Sequence, residues 1–230
     1  KNELTVTEKM AIGDSMMAGL YSGELEFDYV AKKLMALIDK DSYHLTKKFI
    51  ELIDISRDFL VDESKAKNLR DFARPELRRV YNELKKIKHP SSDHITLKRE
   101  LVYYLAKNLN DRRAKLELAV LGDTYLSTLL NPQGELNLVD QNIASKALTI
   151  ALTQKSDRVL QRVINLLETE TDTIKRNNIL KSLALSRSGK NGDKIRKIIF
   201  SSNLRKNEVL NLLWDHLENI QNQPHTWSFL

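Results

Sequence analysis

Asp157-Arg158-Val159-Leu160-Gln161-Arg162-Val163-Ile164-Asn165-Leu166-Leu167-Glu168 is the stretch from which the fold is read. Val159, Leu160, Val163, Ile164 and Leu167 recur at i, i+1, i+4, i+5 and i+8. That spacing collects apolar side chains on one broad face of an α-helix packed on its neighbours. The same pattern extends in both directions. Upstream, Thr5 and Glu8 form a capping-box start, and a helix is expected from there to Tyr21, before Gly23. Further helices are expected over Phe27–Ile38, Tyr43–Val61, Lys65–Lys86, Asp93–Asn108, Asp111–Leu129 and Leu138–Thr153. Phe49, Leu52, Ile53, Ser56 and Leu60 form the inner stripe of the third helix. Downstream, helices are expected over Thr171–Ser186, Asp193–Ser201 and Lys206–Asn222, and a last one near Pro224.

Proline removes a helical donor and crowds the preceding turn, so Pro75 is expected to kink or break the fourth helix. His89-Pro90-Ser91-Ser92 reads as a linker. Asn131-Pro132-Gln133-Gly134 and Ser188-Gly189-Lys190-Asn191-Gly192 read as turns. The helix-to-helix spacing is roughly 17–20 residues, so a helical pair takes about 35–40, the size of HEAT and armadillo units. The expected fold is therefore all-α: an irregular α-superhelix of antiparallel helix pairs, HEAT/armadillo-like. It is read as a single helical-repeat domain over residues 1–230, with a subdivision near residues 87–92.

The chain has 230 residues, 37 Lys and Arg against 31 Asp and Glu, and no cysteine. The last count excludes disulfide scaffolds, cysteine zinc sites and thiol nucleophiles. No apolar run approaches the ~18 residues that span a bilayer. The first residue is Lys1, with no apolar signal segment after it, which reads as a processed chain or an excised piece. The compartment, cytoplasmic or periplasmic, stays open. The net charge of +6 is mild and scattered. Basic pairs at Lys32-Lys33, Lys47-Lys48, Arg78-Arg79 and Arg112-Arg113 have acids nearby, among them Glu51 after Lys47 and Glu76 before Arg79. That describes a solvated helix face more readily than a nucleic-acid surface.

Chemistry-bearing motifs are sparse. None of His44, His89, His94, His216 and His225 forms the i, i+4 pair of a His-Glu-x-x-His zinc helix, and all five are read as surface or cap histidines. Gly13-Asp14-Ser15 lacks the second glycine of a nucleophile elbow, since position 17 is Met17. Asp14 and Ser15 are expected in mid-helix, with Ala18 and Gly19 allowing close packing. Gly189-Lys190-Asn191-Gly192 lacks the spacing of a phosphate loop. Glu168, Glu170 and Asp172 sit between two helices, where capping accounts for them. Tyr103, Tyr104, Trp214 and Trp227 are read as core, with base stacking as the alternative. Residues alone lead to an all-helical interaction or capping domain.

The order of several segments resembles something more specific. Glu8-Lys9-Met10-Ala11, Asp14-Ser15, Ala18-Gly19 and Phe27-Asp28-Tyr29 are similar to the opening of the C-terminal domain of M1-family zinc aminopeptidases. Leu97, Arg99, Asp111 and Ala114 resemble its middle segment, and Asn137-Leu138-Val139-Asp140 a later helix start. Leu180-Lys181-Ser182-Leu183-Ala184 resembles its Leu-x-x-Leu-Ala segment. Phe200-Ser201-Ser202, Arg205-Lys206-Asn207-Glu208-Val209 and Asn222-Gln223-Pro224…Trp227-Ser228-Phe229-Leu230 follow in the family's order.

The resemblance implies the non-catalytic, bacterial-like C-terminal domain of such an enzyme. In that family a helical superhelix closes over a thermolysin-like catalytic domain and encloses a peptide chamber. It implies the catalytic domain of the same chain and the peptide substrate as partners, with no nucleic acid and no direct membrane contact. It implies no cofactor in this chain and zinc in the catalytic domain of the parent. The His-Glu-x-x-His and substrate-gripping motifs are not found here, so no catalytic or metal residue is carried onto this sequence. Arg99, Arg158 and Arg205 are the candidates for presenting a cation to a peptide carboxylate, against the plainer reading of surface ion pairs. The other readings are a stand-alone HEAT-like scaffold, which needs polar faces on both terminal helices, and a nucleic-acid-binding solenoid. An aminopeptidase domain should instead expose an apolar patch at its amino-terminal end.

Overall fold

A computed structural model describes residues 4–60, 62–131, 139–186, 192–199, 204–218 and 222–228. The described residues are helical throughout, with short connections and no strand, as the periodicity required. They fall into two compact units, Lys1–Asp111 and Arg112–Leu230. The linker at residues 89–92 lies within the first unit. The turn signals at residues 132–134 and 188–191 lie outside the described residues, as do Phe200-Ser201-Ser202 and Phe229-Leu230.

The first unit holds α1 (Val6–Tyr21), α2 (Phe27–Leu37), α3 (Tyr43–Ile55), α4 (Glu63–Lys85) and α5 (Ser92–Lys107). Its helix starts are set by local chemistry. Thr5 Oγ1 accepts from the Glu8 amide, and Glu8 Oε2 accepts from the Thr5 amide at 2.7 Å, which closes the capping box. Asp62 caps α4 through the Lys65 amide. Ser91 caps α5, and His94 Nδ1 accepts the Ser91 amide at 3.1 Å, completing the box with a histidine. The ring then donates from Nε2 to Asp41, 2.9 Å away.

α3 passes into a π-helical turn at Ser56–Leu60. The expected inner stripe holds where side chains are described: Phe49, Leu52, Ile53 and Ser56 are all buried. Pro75 does not break α4, which runs unbroken through it. The reason is placement. Pro75 is exposed, while Ala73, Leu77, Val80, Tyr81 and Leu84 bury the opposite face without interruption. The carbonyl that the proline leaves without its helix donor belongs to Asp71, itself an exposed residue, where water can take the place of the lost bond.

The second unit holds α6 (Arg112–Leu130), α7 (Gln141–Thr153), α8 (Asp157–Thr169), α9 (Thr173–Ser186), α10 (Asp193–Ile199), α11 (Lys206–Leu217) and α12 (Gln223–Trp227). α7 is its centre: Ile143, Ala144, Ala147, Leu148, Ile150, Ala151 and Leu152 are all buried, and it packs on α6 and α9. The α6–α7 approach is set by Gly122. A Cβ there would lie 2.2 Å from the Ala147 carbonyl oxygen, so only glycine fits. α8 buries Leu160, Val163, Ile164 and Leu167, the face read from its sequence. Asp172 caps α9 by accepting from the Ile174 and Lys175 amides, as expected of that acidic cluster. α11 ends at Leu217, earlier than its sequence suggested.

Candidate functional site

Three places hold chemistry or surface beyond ordinary helix packing. The first is the amino-terminal helix. α1 carries apolar residues around its whole circumference: Val6, Met10, Ala11, Ile12, Met16, Met17, Ala18, Leu20 and Tyr21. A helix apolar on every side is normally enclosed. Yet α1 buries only Gly13, Met17 and Gly19. Both glycines mark close approaches, since a Cβ would meet Leu45 at Gly13 and Leu25 at Gly19. Asp14 pairs with Lys48 at 2.5 Å, and Ser15 bonds the Ala11 carbonyl, so neither is poised as a nucleophile. Met10, Ile12, Met16 and Leu20 are half-buried, while Leu4 and Val6 at the start of α1, Tyr21 at its end and Tyr29 on α2 are exposed.

The second place is the joint between α9 and α11. Arg176 Nε and Nη2 donate to the two carboxylate oxygens of Glu208 at 2.8 and 2.7 Å. Both side chains are buried. Arg176 also donates to the Glu170 carbonyl, and Glu208 accepts the Arg205 amide at 2.9 Å. The Arg176 hydrogen bond, with the Arg205 amide, holds the Glu208 carboxyl below its ordinary range despite burial.

The third is a buried polar cluster at the carboxy-terminal end. Sequence reading placed His216 at the surface or in a cap, and this is corrected: its side chain is fully enclosed. Its Nδ1 lies 2.9 Å from the Ala184 carbonyl, and its Nε2 lies 3.3 Å from Arg196 Nη1. Asn222 donates to the His216 carbonyl at 2.9 Å. Arg196, also fully buried, pairs with Asp193. No local sequence pattern signals this cluster, because His216 and Arg196 are 20 residues apart along the chain.

The cation candidates divide. Arg99 is half-buried on α5 in the first unit, while Arg158 is exposed in the first turn of α8 in the second. Arg205 caps α11 and donates to the Thr171 carbonyl at 3.3 Å, which ties it partly to the α9–α11 joint. Other basic residues are engaged on the helix faces. Lys47 pairs with Glu100 rather than Glu51, Arg79 pairs with Glu76 and Glu83, and Arg78 pairs with the buried Asp111. The core assignment of the tryptophans is also corrected: Trp214 is 65% and Trp227 64% exposed. Tyr104 is buried, and its hydroxyl donates to Asp54 at 2.8 Å.

The described residues offer no zinc site. Among the described residues no three His, Cys, Asp or Glu side chains converge as metal ligands, and both His216 nitrogens are already committed. No helix among the described residues is long and apolar enough to cross a membrane. In comparisons with known proteins, the family described as the ERAP1-like C-terminal domain matches residues 1–230. No curated protein and no solved structure matches the chain.

Proposed function

Since the chain belongs to the ERAP1-like C-terminal domain family, we propose that it is the non-catalytic C-terminal domain of an M1 zinc aminopeptidase. Its work is to wall the substrate chamber and so limit peptide access and length. The observation that carries this is α1, apolar all round yet largely outside the core, with Leu4, Val6, Tyr21 and Tyr29 exposed beside it. An amino-terminal apolar surface of that kind suits a catalytic domain joined just ahead of it. A free-standing scaffold would carry a polar terminal helix there.

In this reading zinc is held by the catalytic domain, which polarises the scissile carbonyl while the helical domain excludes bulk water and large substrates. Arg158, exposed on α8, and Arg99 and Arg205 are the side chains offered to the downstream part of a peptide.

Two measurements test the proposal. The natural reading frame upstream of Lys1 should encode His-Glu-x-x-His followed by a further glutamate. The purified chain should neither hydrolyse aminoacyl amides nor hold stoichiometric zinc. Hydrolysis by the pure chain, abolished by a chelator, overturns the assignment. A reading frame that begins within a few residues of Lys1 hands the chain to the scaffold reading.

A further inference from the structure

We propose that His216 is an acid-release latch: it fastens α10 and α11 to α9 only while its Nε2 carries no proton. The hydrogen-bond partners fix the ring's state. The Ala184 carbonyl can only accept, so Nδ1, 2.9 Å away, bears the hydrogen. The Arg196 guanidinium can only donate, so Nε2, 3.3 Å away, offers a lone pair. One neutral tautomer satisfies both, and the Asn222 amide, whose Nδ2 also lies 3.2 Å from Nδ1, gives its shorter bond to the His216 carbonyl at 2.9 Å. A second proton would point an N–H at a guanidinium where neither side chain reaches water. Gly192 packs close beside the ring and the guanidinium. A Cβ at Gly192 would lie 3.0 Å from His216 Cε1 and 2.8 Å from Arg196 Nη1.

The surrounding charges do not relieve the conflict. On α10, the Arg196 hydrogen bond holds the Asp193 carboxyl below the usual carboxylate range, and Lys197 acts on it in the same sense. From α12, the imidazole of His225 acts on Asp193. From α9 comes the uncharged Ala184 carbonyl, and beyond α11 the uncharged Asn222 amide, which donates to the His216 carbonyl. Burial pushes the His216 imidazole below its ordinary value, and Arg196 pushes the same way against the Ala184 bond. A histidine held neutral contributes its stability in full above pH ~6.5, and loses it as pH falls from there toward the depressed native value.

The test is hydrogen exchange on the whole protein at pH 7.5 and 5.5. Peptides covering α10 and α11 are normalised to peptides from α2 and α3, which removes the intrinsic pH effect. Protection of α10 and α11 should fall between the two pH values by up to about tenfold, the most that one imidazole with an ordinary value near 6.5 can supply at pH 5.5. In His216→Gln, an amide can still donate to Ala184 and accept from Arg196 but does not titrate, so the normalised protection should not change with pH. Unchanged protection in the native protein overturns the proposal, as does the same loss in the variant. Should the variant not fold, nitrogen-detected imidazole NMR of the native protein decides. An unprotonated Nε2 at pH 7, titrating together with the α10 and α11 amides, supports the latch. An imidazolium at pH 7, or a titration that leaves those amides unmoved, overturns it.

Discussion

Arg176 and Glu208 face each other from α9 and α11 as a two-point pair, Nε to Oε1 at 2.8 Å and Nη2 to Oε2 at 2.7 Å, with both side chains buried. The pair stands where two helix ends would otherwise leave polar backbone enclosed, and Arg176 serves the Glu170 carbonyl as well. Breaking it from one side strands a buried charge. Arg176→Met should lower the stability of the second unit by roughly 3–5 kcal/mol. The double variant Arg176→Met/Glu208→Gln should lose less than the two single losses combined. Urea unfolding of all four proteins closes that cycle. Because Glu208 is held below its ordinary value, the native advantage should be complete above pH ~4.3 and shrink as pH falls through the lower native value.

Gly122 is where α6 lies against the backbone of α7. A Cβ at this position meets the Ala147 carbonyl oxygen at 2.2 Å and its carbon at 2.6 Å, and backbone cannot yield as a side-chain tip does. Gly122→Ala gains about 1 kcal/mol of helix propensity and forces the two helices apart. The net expectation is a loss of roughly 1–3 kcal/mol, seen as a lower urea midpoint. Gly19→Ala should be milder, since the obstruction there is the Leu25 side chain.

Pro75 offers a gain in the opposite direction. α4 continues through it with the proline on the exposed face, so the missing donor costs a helix bond without disturbing the buried stripe. Pro75→Ala restores that bond. The unfolded chain gains freedom worth about 0.4–1 kcal/mol, which offsets part of an intrinsic difference of about 3 kcal/mol. The first unit should therefore be stabilised by roughly 2–2.6 kcal/mol, measured as a higher thermal midpoint. Unchanged or lower stability would mean that the ring packs usefully where it stands.

These cases show which parts of the fold were legible. The α8 stripe, the Thr5 box and the Asp172 cap depend on neighbours within one or two turns, and the sequence pattern displays them directly. α11 misleads for the same reason that it matters. Its buried face holds Glu208, Leu212, His216 and Leu217, while Leu210 and Trp214 stand in solvent. Apolar content would have chosen the other face. The polar pair on the inner face is satisfied by Arg176, 32 residues away, and by Arg196, 20 residues away, and no local periodicity records such partners. Pro75 failed in the same manner, since the cost of a proline depends on whether the freed carbonyl meets water. The family segments fared better because several are tie points: Gly19 against Leu25, Asp111 under Arg78, and Asn222 on the His216 carbonyl.

Asp54 and Asp39 should respond to pH in opposite senses. Burial raises the Asp54 carboxyl, and the Tyr104 hydroxyl and Arg57 only partly offset it. A raised carboxylate favours the fold at low pH and loses that advantage as pH rises through the native value. The cost of Asp54→Asn should therefore be larger at pH 4 than at pH 7. Burial also raises Asp39, but the hydrogen bond and charge of Lys9 and the bond from the Asp41 amide outweigh it, leaving the carboxyl lowered. Its contribution is present above the ordinary value near 3.9 and fades as pH falls below it. Asp39→Asn should accordingly cost more at pH 7 than at pH 3. Urea titrations of both variants at three pH values give two slopes, and slopes of the same sign would refute the assignment of at least one carboxylate. The pairing has a structural consequence too. Asp39 is what Lys9 of α1 reaches across to, so its protonation should loosen the apolar helix before the rest of the unit, visible as earlier exchange of the α1 amides in acid.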